Sequence, residues 1–334
     1  MRFVLAVLLA SVCFGTTGTA QALGPDASAL SVGAARILIG GGALAAVAAL
    51  LYFAGRRGGA TGTSAASTPG VATSGRTEAF GARRVAPTWL VVLVGAAGVL
   101  AYQPAFFAGT ATNGVAVGTV VALGSAPVIT GGLDWLLRRR YPGHRWLVAT
   151  FIATAGVAIL AAAGEPGRAA AEPLGLLASL GAGASYAVYT LAAKALLDRG
   201  WTPTGSMGAL FGAAAVASLP VLLATDAAWL ATRPGLAMAL WLGLVTTTLA
   251  YMLFGAGLRG LAPATVATLT LAEPLTAALL GVALLGETLP ATAIAGLLVL
   301  AVGIAVLATS GTGRPRPRAS VGAAERLIDV GGRR

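Results

Sequence analysis

Two ionisable residues lie deep inside long apolar stretches of this chain, and chemistry is expected at both. Glu273 stands about nine residues into the run 264–285, directly before Pro274. Arg36 stands about seven residues into the run 29–53, roughly 10 Å deep at about 1.5 Å per residue. A charge at the centre of a membrane helix costs about 2.5–3.5 kcal/mol on insertion scales, so each needs a partner or a purpose. Pro274 lacks a backbone donor and clashes with the preceding turn, so a kink that frees carbonyls beside the carboxylate is expected. Glu273 then has two readings. In one it faces a central cavity and binds a cationic or zwitterionic ligand, or exchanges a proton. In the other it is a buried carboxyl bonded to a neighbouring helix. Arg36 reads first as structural, snorkelling or bonding carbonyls, and second as a contact for an anionic ligand group. Tyr102, Gln103, Asn113, Tyr186, Tyr189 and Tyr251 are candidates for lining such a cavity, since rings and amides both stack and hydrogen-bond. For the tyrosines the alternative is anchoring at the membrane interface. Pro127 and Pro274 are the expected kink or gating points.

Other chemistries are poorly supplied. A single cysteine (Cys13) and a single histidine (His144) exclude a disulfide framework and a multi-histidine metal site, and no cofactor is implied. No Ser/His/Asp or Cys/His set is available, so the chain does not read as an enzyme. Gly40-Gly41-Gly42 has no following Gly-Lys-Ser/Thr, so it reads as close helix packing and not as a phosphate loop. Without a Walker lysine, energy has to come from a gradient or a concentration difference. Asp134 is expected to pair with nearby arginines, and Glu287 to help end the ninth run.

The elements that must hold these residues follow from composition. Of 334 residues, 57% are apolar and only 10% charged, against about 25% charged in soluble domains. The mean hydropathy is +0.85. Such a chain must be solvated by lipid. Ten runs are long enough to span: 3–22, 29–53, 88–108, 113–137, 146–163, 174–196, 204–224, 235–257, 264–285 and 290–309. With the N-terminus in the cytoplasm, 19 of the 22 Lys and Arg fall in inside segments, and only Arg168 and Arg233 fall outside. Both termini are therefore expected in the cytoplasm, in a multi-pass protein of the cell (inner or plasma) membrane. The net charge of +11 sits in these short clusters and not on one polar face, which excludes a nucleic-acid partner. Residues 1–22 carry a rival reading as a cleaved signal peptide. Residues 54–86 read as a flexible cytoplasmic linker, and 310–334 as a disordered basic tail with a short amphipathic turn at 323–330. The six tryptophans mostly fall near run ends, as an aromatic belt would.

The chain also repeats itself. Leu100-Ala101-Tyr102 recurs as Leu249-Ala250-Tyr251, with a proline 25 residues after the first tyrosine and 23 after the second. Leu8-Leu9-Ala10-Ser11 likewise echoes Leu176-Leu177-Ala178-Ser179. The copies are runs one to five (3–163) and six to ten (174–309). An odd number of crossings turns the second copy upside down relative to the first.

The block 269–287, with Ala295-Gly296 and Gly303 after it, is similar to the second repeat of the EamA-type drug/metabolite transporters. Residues 122–132 resemble its counterpart in the first repeat, and residues 13–19 and 31–39 resemble the opening of the family. The resemblance spans about residues 3–309. It implies an all-α membrane protein of ten transmembrane helices in two inverted five-helix repeats. It also implies carrier-mediated movement of small metabolites or drugs, usually outward. One departure stands out: Gly286-Glu287 closes the ninth run, where the first copy has Asp134-Trp135. The expected partners are a small-molecule substrate and membrane lipid, with a homodimer left open. The competing classes are a non-transporting lipid-binding scaffold and an importer of the same fold.

Overall fold

A computed structural model describes residues 1–59, 86–139, 141–163 and 172–310. The linker residues 60–85, the loop 164–171 and the tail from 311 lie outside the described residues. Among the described residues, ten helices are long and apolar enough to cross a membrane: α1 Arg2–Ala22, α2 Ala29–Gly59, α3 Thr88–Gly114, α4 Val117–Arg138, α5 His144–Ala162, α6 Pro173–Asp198, α7 Pro203–Leu223, α8 Arg233–Gly260, α9 Pro263–Leu285 and α10 Ala291–Ser310. The chain is a multi-pass membrane protein. The expected flexible linker begins later than its composition suggests, because residues 54–59 continue α2 and Arg56 there donates to the Tyr52 hydroxyl at 3.0 Å.

Local chemistry sets the helix ends. Pro173, Pro203 and Pro263 open α6, α7 and α9, where a missing N–H costs nothing. Thr202 and Thr232 cap α7 and α8 through their side-chain oxygens. Gly114, at φ 83°, lets α3 turn into α4 almost without a loop. Gly286, at φ 69°, ends α9, and the Glu287 N–H closes the turn onto the Gly281 carbonyl at 3.1 Å. The end of the helix expected at Glu287 is thus made by the left-handed Gly286 and by the Glu287 backbone, not by its carboxylate.

Helix contacts respect the duplication. Exchanging helix n for helix n + 5 turns α1 on α8 into α6 on α3, α1 on α9 into α6 on α4, and α2 on α8 into α7 on α3, and all six contacts occur. The pairs α2–α7 and α5–α10 map onto themselves and also pack closely. Residue order shows that these pairs run antiparallel. Phe3, Val7 and Phe14 of α1 meet Gly260, Gly257 and Tyr251 of α8, and Gly95, Gly98 and Asn113 of α3 meet Ala192, Tyr189 and Glu172 of α6. The fold is two inverted five-helix halves.

In lipid no hydrophobic force pulls helices together, so small residues that admit a close backbone matter most. Gly156, Gly296 and Gly303 put α5 and α10 in backbone contact, and Gly41, Gly208 and Gly212 do so for α2 and α7. Gly40 brings α2 against Gly243 of α8, where the Thr248 hydroxyl donates to the Gly40 carbonyl at 2.9 Å. Two tryptophans depart from the expected belt. Trp146 is buried and donates to the Ala264 carbonyl and the Thr268 hydroxyl, both at 3.0 Å. Trp229 is buried and donates to Ser31 at 2.9 Å. An indole beside a run end still turns inward when a facing helix offers its N–H an acceptor.

Candidate functional site

Two helices that cross mid-bundle carry irregular turns, and both border one cavity. In α9 a tight 3₁₀ turn, Thr270–Ala272, precedes Glu273 and Pro274. The Glu273 N–H bonds the Thr270 carbonyl, which the missing proline donor would otherwise have left open. In α8 residues Trp241–Leu249 form a wide π-helical stretch, which exposes backbone acceptors and crowds three threonines. Thr246 and Thr247 both donate to the Leu242 carbonyl, at 2.8 and 2.9 Å. Arg36 of α2 docks here, Nε on the Thr247 hydroxyl at 3.0 Å and Nη2 on the Thr246 carbonyl at 3.1 Å. That arrangement realises the structural reading of Arg36 and still leaves its remaining N–H groups beside the cavity.

The cavity has a volume of about 200 Å³. Of the residues singled out by sequence, Glu273, Arg36, Tyr102, Gln103, Tyr186, Tyr189 and Tyr251 line it together. Asn113 does not. Its amide accepts from the Glu172 N–H at 2.7 Å and donates to the Glu172 carbonyl at 3.0 Å, clamping the start of α6 to the end of α3. Phe14, Thr17 and Gln21 of α1, Phe106 and Phe107 of α3, Thr119 and Leu123 of α4, and Thr270 of α9 complete the walls. Helix spacing could have found several of these, since Thr17 follows Phe14 by three residues, Phe106 follows Tyr102 by four, and Thr270 precedes Glu273 by three.

The wall is aromatic, with a few hydroxyl contacts. Phe14 meets Tyr251 edge-on at 5.1 Å, and Tyr102 stacks on Phe106 at 6.0 Å. The Tyr189 and Tyr251 hydroxyls lie 3.2 Å apart, and Tyr186 and Thr270 pair at 3.0 Å. Against this, the Glu273 carboxylate has no hydrogen bond or ion pair among the described residues, and neither do the Gln103 amide and the Tyr102 hydroxyl. The Thr17 hydroxyl is buried and equally unpaired.

The duplication is visible in the walls too. Tyr102 and Tyr251, the tyrosines of the repeated Leu-Ala-Tyr, both line the cavity. Pro127 and Pro274 each follow a lining residue, Ala126 and Glu273, and each leaves without its helical donor the carbonyl of a residue four back, Leu123 or Thr270, that also lines the cavity. The helix stays regular through Pro127, whereas Pro274 follows the 3₁₀ turn. The carboxylate is present in one half only.

The cavity is open at one end. Counting crossings puts the start of α1 and the end of α10 on the same face of the bundle, the face of the termini. The lining residues of the first half occupy the late halves of α1 and α3 and the early halves of α2 and α4, that is, from mid-bundle toward the opposite face, whereas those of α6, α8 and α9 lie at mid-bundle or deeper and form the floor. Burial agrees: Gln21 is exposed, Phe106, Phe107 and Thr119 are half-buried, and Tyr186, Tyr189, Ala267 and Leu271 are buried. Below this floor Phe254, Leu258, Met207 and Leu196 are fully buried and seal the end nearer the termini. A salt-bridge network lies beyond the seal. Arg138 pairs with Asp134 at 2.8 Å and with Asp198 of α6, and the Lys194 ammonium donates to the Leu258 carbonyl at 3.0 Å.

Comparison with known proteins decides the family. Residues 173–309, the second five-helix half, match the model of the EamA-like transporter family. Over 309 residues the chain is 36% identical to the Bacillus subtilis (strain 168) protein named uncharacterized transporter YwfM, covering 92% of this chain and 94% of that one. The chain belongs to the EamA-like transporter family. A solved crystal structure of a protein 18% identical overlays with a TM-score of 0.69, covering 93% of this chain and 99% of the other, and so shares the fold. This family member is a membrane transporter of the drug/metabolite type, and the cavity around Glu273 is its candidate transport site.

Proposed function

We propose that this transporter is a secondary active exporter of small cationic or zwitterionic compounds, such as amino-acid-like metabolites or drugs, working by alternating access at Glu273. The observation that carries the reading is an unpaired carboxylate beside a one-sided aromatic cavity, at the eleventh of the 23 residues of α9. A carboxylate at mid-membrane depth is costly unless a cation or proton accompanies it, so it favours a positively charged group. The phenol rings favour a cation at their faces, and the spare N–H groups of Arg36 complement a ligand carboxylate. With both termini in the cytoplasm, the open end faces outward. Exchanging the conformations of the two inverted halves then opens the same site to the cytoplasm. Pro127 and Pro274, at the equivalent points of α4 and α9, are the hinges.

The test is uptake and efflux in proteoliposomes with an imposed pH gradient, comparing the natural chain with Glu273→Gln. The expected result is loss of gradient-driven transport of cationic and zwitterionic substrates. An unchanged rate and pH dependence would remove Glu273 from the mechanism.

A further inference from the structure

Two apolar clefts lie on the outside of the bundle and are exchanged by the same n to n + 5 relation. The first, about 310 Å³, sits between α3, α4 and α6, with Leu90, Val94, Leu137, Val188 and Ala195 among its walls. The second, about 520 Å³, sits between α8, α9 and α1. Each is therefore built into the repeat and is not an accident of one helix. In the first, α3 and α4 meet at Gly114 and spread apart toward the face that carries the termini, leaving α6 as the back wall.

The rim of this first cleft is basic. Arg199 donates from Nη2 to the carbonyl of Ala86, itself a wall residue, at 2.9 Å, and from Nη1 to Thr88 at 3.1 Å. Arg139, the exposed residue that caps α4, stands two residues beyond the wall residue Leu137. Among the described residues neither arginine has a carboxylate partner, whereas Arg138 between them in sequence is occupied by Asp134 and Asp198. The second cleft has a single arginine beside it, Arg233 next to Pro234.

We propose that the first cleft is a binding site for one anionic glycerophospholipid, with part of an acyl chain between α3, α4 and α6 and the phosphate at Arg199 and Arg139. A hydrocarbon chain gains little by leaving bulk lipid for an apolar cleft, so the headgroup decides which lipid stays. Two uncompensated arginines at headgroup depth select negative charge, each by about fivefold in affinity. The site is separate from the Glu273 cavity, and its test does not depend on which substrate is carried.

Delipidated full-length protein in neutral detergent is titrated with phosphatidylglycerol and with phosphatidylcholine of identical chains, read by native mass spectrometry and thermal unfolding. One phosphatidylglycerol is expected to bind about 5–25-fold more tightly than phosphatidylcholine and to raise the unfolding temperature. Arg139→Gln, whose arginine side chain makes no hydrogen bond or ion pair among the described residues, and Arg199→Gln are each expected to remove about fivefold of that preference. Ala195→Trp fills the cleft and is expected to abolish the tightly held lipid, while Ala237→Trp in the second cleft leaves it in place. Should Ala195→Trp fail to fold, Val94→Trp at the exposed edge of the same wall serves instead. Equal binding of the two lipids, a preference that survives both arginine substitutions, or a tight lipid retained after the cleft is filled would each overturn the proposal.

Discussion

Arg36 is structural in its contacts and, in the proposed mechanism, chemical as well. Its Nε and Nη2 are spent on the π-helical turn of α8, which fixes the guanidinium plane and leaves its other N–H groups beside the ligand space. Lysine keeps the charge but cannot reproduce the two-point hold. Arg36→Lys is therefore expected to fold normally and to weaken apparent substrate affinity about tenfold or more, since a lost charged hydrogen bond is worth about 1.5–3 kcal/mol. Substrate titration of transport in proteoliposomes checks this. Asn113 makes the opposite case. It clamps the backbone of Glu172 and does not line the cavity. Asn113→Ala is expected to lower stability by about 1–3 kcal/mol with substrate affinity unchanged in the folded fraction. Thermal unfolding in detergent beside a transport titration separates the two effects. Arg36's bond to a carbonyl was anticipated from its depth, whereas the Asn113 clamp was not readable from sequence. An amide near a helix end signals polarity, but its partner is 59 residues away and is defined only once α3 and α6 pack.

At the scale of the helix, glycine placement carries the energetics. A side chain at Gly156 would collide with the backbone of Leu300, whereas one at Gly132 meets open space. Gly156→Val is expected to cost about 1–3 kcal/mol by forcing α5 and α10 apart, and Gly132→Val to be nearly neutral, as measured by unfolding temperature in detergent. In the proposed mechanism Pro274 is a hinge. Pro274→Ala restores a donor for the Thr270 carbonyl and removes the cause of the 3₁₀ turn. The expected result is an unfolding temperature equal to or above that of the natural chain, with transport reduced severalfold. Span positions were legible because twenty apolar residues in a row have few other uses, and the tyrosine and proline echoes exposed the duplication. The π-helical stretch of α8 and the inward indoles of Trp146 and Trp229 were not legible. They arise from contacts between helices distant in sequence, which hydropathy does not encode.

For the molecule as a whole, the duplication supplies two halves with interchangeable contacts, and the single carboxylate makes the site they enclose asymmetric. The positions of Glu273, Arg36 and the tyrosines could be read as candidates from their depth. Their convergence on one cavity, and the closure of that cavity by Phe254, Leu258, Met207 and Leu196, required the packed bundle. The central claim is that this cavity opens to one face at a time. It is tested most directly by placing a cysteine at Gln103 in a Cys13→Ser background and labelling with a membrane-impermeant thiol reagent from each side. Tags on both termini report orientation. Without substrate, labelling is expected only from the face opposite the termini. With saturating substrate, labelling from the termini's own face should appear as the halves exchange. Labelling that stays on one face whatever the substrate, or termini found in different compartments, would contradict the account.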